Sequence, residues 1–312
     1  RCPAMLEPSK RSLLLDSLAA PTGYRLDWAV GTTYTLDLIA LLAAPVAFAF
    51  SDWQDPEGRP LCDPLALLKA VRQYADRVCI FCQAGKIMVP KSYQMLLARL
   101  EGSIVEARAP LGGSFHPKVW FLRYENPDQE VLYRFLCLSR NMTFDRAWDT
   151  MLCVEGPLTD RANAYASNHP LGQFVDALPS MSMRKCSKEW GVRLAQLARE
   201  IRRVDFEVPE PFEEMSFWPI GIDSAPVWPF RERAQRTLVI SPFVSNSLLA
   251  DLTANSQAIE LISRGEQLEL LSSDVLAAMQ HVWVLDNSAE PEPAEIEITD
   301  TDDAGSASET GD

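Results

Sequence analysis

Apolar and polar positions alternate along the chain in blocks that read as strands and helices in turn. Residues 24–30 carry a strand pattern, residues 31–35 (Gly-Thr-Thr-Tyr-Thr) read as the turn after it, and an apolar helix is expected from about Leu36. Asp63 before Pro64 is an N-cap with proline at the first helical position. Leu65, Leu68, Val71 and Ala75 then recur at helical spacing, which predicts a helix ending near Arg77. Residues 78–81 predict a short buried strand, residues 91–100 a helix closed by Gly102, and residues 103–108 another strand. Alternating strand and helix predict an α/β fold, a layered mixed β-sheet flanked by helices.

After Gly112-Gly113 the texture changes to three strand-like runs, 117–124, 131–138 and 150–154, separated by polar loops. Residues 161–205 read as mostly helical. Trp190, Leu194, Leu197, Ile201 and Val204 trace one apolar face there, while Lys188, Arg193, Arg199, Arg202 and Arg203 lie off it, as a solvated face more than a phosphate-binding one. The Pro- and Trp-rich stretch 207–235 fits an ordered linker wrapped on a core. Residues 236–245 then open a new strand, a helical run starts at Leu248, and residues 267–271 predict a further strand. This order repeats the opening of the chain, as one full repeat followed by the start of a second. The expected organisation is a first repeat over 1–160, a helical segment and linker over 161–235, the beginning of a second repeat over 236–288, and an acidic tail over 289–312 whose composition predicts disorder.

Composition narrows the class without naming a function. A chain of 312 residues has room for about two domains, and 47 % apolar, 23 % charged and 9 % aromatic residues are values of a globular protein. The formal charge of −14 is concentrated: the tail holds nine acids and no Lys or Arg, leaving −5 for the other 288 residues. Bulk charge therefore gives no support for nucleic-acid binding, although a local basic groove stays open. Seven cysteines are an odd set in a chain too large to need a disulfide framework, which predicts reduced thiols and a cytoplasmic location. Cys79 and Cys82 have CxxC spacing inside an apolar run, with no second CxxC, and read as a structural strand. The longest apolar stretch, 38–50, is thirteen residues interrupted by Pro45, against roughly twenty for a bilayer span, so no membrane segment is expected; nor is a secretory leader.

Of three histidines, at 116, 169 and 281, only His116 has suggestive company. His116 and Lys118 flank Pro117 at the start of a strand, where a period of two puts both on one sheet face; the same arithmetic puts Ser139 and Asn141 on a shared face at the end of the next strand. If the strands are neighbours, an imidazole, a cation, a hydroxyl and an amide converge, which is what binding a phosphate requires. His169 before Pro170 and His281 beside Trp283 read as loop and packing histidines, and Asn141-Met-Thr143 as an idle glycosylation match.

At these residues the chain resembles the phospholipase D superfamily, whose signature is H-x-K, a variable run, a (G/S)-S-x-N element and a downstream acid. The pieces here are His116-Pro-Lys118, Ser139-Arg-Asn141-Met-Thr143, Ala147-Trp148-Asp149 and Glu155-Gly156, and the resemblance covers about residues 15–160 and 236–285. Members with the full signature carry Asp five residues after the lysine, where this chain has Arg123; members of tyrosyl-DNA phosphodiesterase type also lack it. The resemblance implies that His116 attacks phosphorus to form a phosphohistidine, that Lys118, Ser139 and Asn141 hold the phosphate, and that no metal or cofactor is required. It further implies that Glu155, or in reserve Asp149, orients the imidazole, and that a second histidine protonates the leaving oxygen. No second H-x-K is present. It is expected to lie in sequence beyond this chain, to come from a homodimer partner, or to have been lost. The implied function is that of a nuclease acting on DNA or RNA, in a bacterial nuclease subunit or defence-associated protein. The alternatives are a phospholipid phosphodiesterase or phosphatidyltransferase, and a silent nucleic-acid-binding scaffold that recruits a partner such as a helicase.

Overall fold

A computed structural model describes residues 14–49, 64–90, 97–144, 149–222 and 233–286. The chain divides near residue 230 into two compact units. The first contains strands β1 (Arg25–Thr33), β2 (Leu36–Asp37), β3 (Val78–Gln83), β4 (Ile87–Met88), β5 (Ile104–Ala107), β6 (Val119–Glu125), β7 (Val131–Leu138) and β8 (Met151–Pro157). Its helices are α1 (Leu14–Leu18), α2 (Leu38–Leu41), α3 (Ala43–Ala49), α4 (Pro64–Tyr74), α5 (His169–Met181) and α6 (Lys188–Glu200). Six strands form one sheet in the order β5-β3-β1-β6-β7-β8, with β5, β3 and β1 parallel and β6, β7 and β8 antiparallel to their neighbours. β2 and β4 form a separate short parallel ladder.

Strand parity builds two cores. Leu26, Trp120, Leu122, Tyr124 and Leu136 face Leu41, Phe48, Val71 and Tyr74 of the first helices. Trp28, Phe121, Tyr133, Phe135 and Val154 face Phe174, Leu178, Leu194 and Leu197 of α5 and α6. Trp190, Leu194, Leu197, Ile201 and Val204 are all buried, as their spacing predicts. The helical segment is thus one layer of the first unit. The basic residues beside that face make structural ion pairs: Arg193 with Glu189 and Arg202 with Asp176. Residues 205–207 cover the outer edge of β8, through Asp205 N–H to Pro157 O (3.1 Å) and Glu207 N–H to Glu155 O (2.9 Å). Gly156 permits this approach, since a Cβ there would lie 2.2 Å from the Asp205 carbonyl oxygen. Cys79 and Cys82 point into opposite cores, which removes any shared metal; burial pushes the Cys82 thiol up to about 12.

Several elements differ from expectation. β1 runs on through Thr33, so Gly31–Thr33 is strand where a turn is predicted. Residues 97–99 form one 3-10 turn, and the rest of the helix expected over 91–100, like the Asp63 cap and the acidic tail, lies outside the described residues. In the second unit β9 (Ala234–Ile240), α7 (Asn246–Ala254) and β10 (Ser256–Ser263) are followed by α8 (Gly265–Glu269), where a strand is predicted, then α9 (Ser273–Ala277) and β11 (His281–Val284). α8 is helical because Arg264 and Gln267 carbonyls accept from Gln267, Leu268 and Leu270 N–H groups in a closed turn. All three strands are parallel in the order β11-β10-β9, the same sequence of strands and polarity as β5-β3-β1.

Arg123 ties the first sheet to α6. It bonds Glu200 (3.0 Å) and Asp27 (2.5 Å), and Tyr133 O–H donates to the same Glu200 oxygen (2.5 Å). Burial raises the Glu200 carboxyl, but hydrogen bonds from Tyr133 and Gln196 and the Arg123 charge outweigh it and hold the group below its usual range. Glu200→Ala is expected to cost about 3 kcal/mol in urea unfolding at pH 7, because a buried guanidinium loses one of the two carboxylates it hydrogen-bonds, Glu125 standing further off at 3.7 Å. A depressed carboxyl stabilises above its unfolded value, so the gap to wild type is expected to close as pH falls through the acid range where Glu200 protonates.

Candidate active site

Four strand ends meet at one edge of the first sheet: β1 and β7 end there and β6 and β8 begin there, as their antiparallel pairing requires. The same edge carries the switch from parallel to antiparallel order, where open α/β sheets leave a crevice beyond the carboxyl ends of their parallel strands. His116 and Lys118 arrive there just before β6, and Ser139 and Asn141 just after β7.

The path of the H-x-K segment is set by β1 and β3. Thr32 Oγ1 donates to Pro117 O (3.0 Å) and accepts from Val119 N–H (3.0 Å), so one buried hydroxyl brackets Lys118 on both sides. Gln83 Oε1 accepts from Phe115 N–H (2.6 Å). Lys118 is only 9 % exposed, and its Nζ lies 3.0 Å from Nδ1 and 3.2 Å from Nε2 of His116. Among the described residues no carboxylate pairs with this ammonium. Burial lowers its pKa, with the nearby Cys137 thiol opposing. Burial, then the Lys118 charge, lowers the His116 imidazole below its ordinary value, so the ring is neutral at pH 7.

Tyr34 joins this pair to the other strand end. Its ring lies 4.9 Å from the His116 ring at 48°, and its backbone N–H donates to Asn141 Oδ1 (3.2 Å), as does Thr35 N–H (3.3 Å). Two backbone donors fix the Asn141 amide with Nδ2 as the group left for a ligand oxygen. Thr33 Oγ1 donates to Thr35 O (2.8 Å) and accepts from Met142 N–H (3.0 Å), which locks the 33–35 and 141–142 segments together. Lys86 Nζ stands 5.7 Å from the Tyr34 centroid.

The other expected site residues separate. Ser139 Oγ donates to Asp149 Oδ1 (2.8 Å) and accepts from Thr150 N–H (2.9 Å), and Arg140 lies 3.6 Å from Asp149 Oδ2. Ser139 and Asp149 thus clasp the loop between β7 and β8, with Ser139 still lining the cavity beside His116. Glu155 does not orient His116: it pairs with Arg134, which also bonds the carbonyls of Ser17 and Ala19. The reason is direction. β8 runs antiparallel to β7, so its beginning faces the site, and Glu155 is four residues further along, about 13 Å away along the strand. Arg123 faces the α6 core, as parity with Lys118 predicts. The residues that sequence reading passed over are Thr32, Thr33, Tyr34 and Gln83. Their available signal was a pair of hydroxyls closing an apolar strand.

No group of three or more His, Cys, Asp or Glu side chains with metal-binding geometry occurs among the described residues. The site is suited to an anion: a buried cation and a neutral imidazole stand together, and Tyr34 links them to the directed Asn141 amide at the neighbouring strand end.

Among solved structures the chain is similar to yeast tyrosyl-DNA phosphodiesterase. One mutant of that enzyme matches at 13 % identity and a TM-score of 0.38, over 60 % of this chain and 38 % of that one. The structure titled without a mutation matches at 14 % and 0.36, over 60 % and 37 %. This chain spans under two-fifths of the length of the structures it matches. No protein-family model and no curated protein matches the sequence. The phospholipase D resemblance of His116-Pro-Lys118 and Ser139-Arg-Asn141 thus sits on a site whose chemistry rests on its own geometry.

A buried ammonium without a carboxylate partner destabilises the empty protein. Lys118→Met is therefore expected to raise the thermal midpoint in anion-free buffer. Inorganic phosphate is expected to raise the wild-type midpoint with concentration and leave the variant unmoved, as differential scanning fluorimetry would show.

Proposed function

We propose that the chain is a phosphodiesterase of phospholipase D type that cleaves nucleic acid without a metal, through His116. The observation that carries this reading is the buried Lys118 ammonium, set against a neutral imidazole with no carboxylate to balance it. A bound phosphodiester supplies the missing negative charge. Lys118 and Asn141 Nδ2 hold its non-bridging oxygens, and their donors are directed before substrate arrives. The His116 ring nitrogen attacks phosphorus, the P–N bond forms as the P–O bond to the leaving group breaks, and an acid protonates the departing oxygen. Water then cleaves the P–N bond and releases the phosphomonoester and His116.

The acid is the half of the chemistry that the described residues around His116 do not contain. His169 opens α5 and His281 opens β11, and neither is followed two residues on by lysine. We assign this role to a second H-x-K, in continuing chain or in a second copy of the protein. Ser139 and Asp149 hold the loop that carries Asn141, and Tyr34 replaces a carboxylate as the group that fixes the His116 ring.

Cleavage of a labelled single-stranded oligonucleotide in EDTA tests this reading. His116→Ala is expected to abolish turnover and Lys118→Gln to lower kcat/KM by at least a hundredfold; undiminished cleavage by His116→Ala overturns the assignment. Because His116 is lowered, its neutral form persists as the solution is acidified. The acid limb of kcat/KM is therefore expected below the pH of about 6.5 where an ordinary histidine titrates, and a limb above that value contradicts the site's electrostatics. Turnover that rises faster than linearly with protein concentration identifies the second copy as the source of the acid. Cleavage of short-chain phosphatidylcholine with no cleavage of nucleic acid transfers the same mechanism to a lipid substrate and rejects the nuclease.

A further inference from the structure

A cavity of about 750 Å³ opens directly beside His116 and Lys118, on the α5 and α6 side of the sheet. Its walls are aromatic: Phe115, Phe135, Phe174 and Phe217 are each less than 9 % exposed, while Trp218 stands at the mouth, 46 % exposed. The segment that carries Trp218 is anchored, because Phe217 packs edge-on against Phe135 at 5.4 Å and against Phe206 at 6.1 Å. Trp218 Nε1–H donates to Ser216 Oγ (2.8 Å), which holds the indole while leaving its face open. Among the described residues no carboxylate lines the cavity, and Lys118 is the only Lys or Arg that does.

We propose that this cavity is a base-binding subsite: it receives an unpaired nucleobase whose attached phosphate lies on Lys118 and His116, with the base stacked on Trp218. This rests on the phosphodiesterase reading and specifies its substrate as a single-stranded or locally opened nucleic acid. A ligand that enters here must carry its negative charge at one end only, where Lys118 stands, and present an uncharged body to the aromatic walls. A nucleotide has that form. Its flat face suits an exposed indole, and stacking of this kind accepts any base. The hydroxyls of Ser114 and Ser216 also line the space. They match the polar edge of a base, and Ser216 Oγ, which accepts from Trp218 Nε1–H, keeps its own proton to donate. A base reaches such a concave site only when it is out of its stack, so duplex substrate must first open.

Fluorescence anisotropy of a labelled single-stranded oligonucleotide tests the subsite, with the intact chain and, as the DNA-side control, the same oligonucleotide carrying a central abasic residue. Wild type is expected to bind the normal strand roughly 5–100-fold more tightly than the abasic one, from a single stacked base. Trp218→Ala is expected to lose that preference and Trp218→Phe to retain most of it; the exposed position of Trp218 makes both substitutions compatible with folding, which circular dichroism verifies. Equal binding by wild type and Trp218→Ala overturns the subsite even if EDTA-resistant cleavage through His116 persists. Loss of cleavage in His116→Ala together with a retained abasic penalty keeps the two claims separate. Displacement of the oligonucleotide by short-chain phosphatidylcholine but not by a mononucleotide assigns the cavity to an acyl chain and rejects the base.

Discussion

An ammonium group buried against a neutral imidazole is the constraint around which the first unit is arranged. A cation removed from water needs compensation, and most proteins supply a carboxylate. Here Lys118 has instead the one unprotonated ring nitrogen of the neutral His116 imidazole and, at 3.4 Å, the His116 carbonyl oxygen. The sheet tolerates this because its stability comes from elsewhere: two apolar cores lie on its faces, and the Arg123–Glu200–Tyr133 cluster joins it to α6. Among the described residues no carboxylate offsets this charge, and the proposed ligand would supply the missing negative charge, a common relation between stability and function.

Holding that imbalance in place falls to neutral groups. Thr32, Thr33, Gln83 and Asn141 each bond backbone atoms of a neighbouring segment, so four strand ends are fixed by hydrogen bonds that add no charge of their own. A carboxylate in their place would neutralise Lys118 and close the site to phosphate. The two acids expected to serve the imidazole are accordingly used elsewhere, Asp149 on Ser139 and Glu155 on Arg134.

The second unit repeats the parallel half of the first in strand order and polarity, yet differs in what its sheet faces. In β1 nearly every side chain is buried, whereas in β9 Leu238 and Ile240 are 59 % and 66 % exposed, and Trp283 and Val284 of β11 are exposed as well. Among the described residues β9 also has no antiparallel neighbour of the kind that β6 gives β1.

The sequence by itself determined the periodicities, and through them most of the elements. The alternation in 131–138 matches β7 to the residue, the apolar stripe from Trp190 to Val204 is buried throughout, and spacing put His116 with Lys118 and Ser139 with Asn141 at strand ends, while the pairing of β6 with β7 is what made those ends neighbours. Local pattern suffices for these because it records which face of an element meets the core. Tertiary structure decided the partners. Glu155 and Arg134 face each other by strand register, and no property of residue 155 alone reveals that β8 presents its beginning to the site. Thr32 and Thr33 have the composition of a turn, and become strand because a segment more than eighty residues away supplies their hydrogen-bond partners. The aromatic cavity, too, joins residues from β6, β7, α5 and the 216–222 segment, and contacts between such distant positions leave no trace in local spacing.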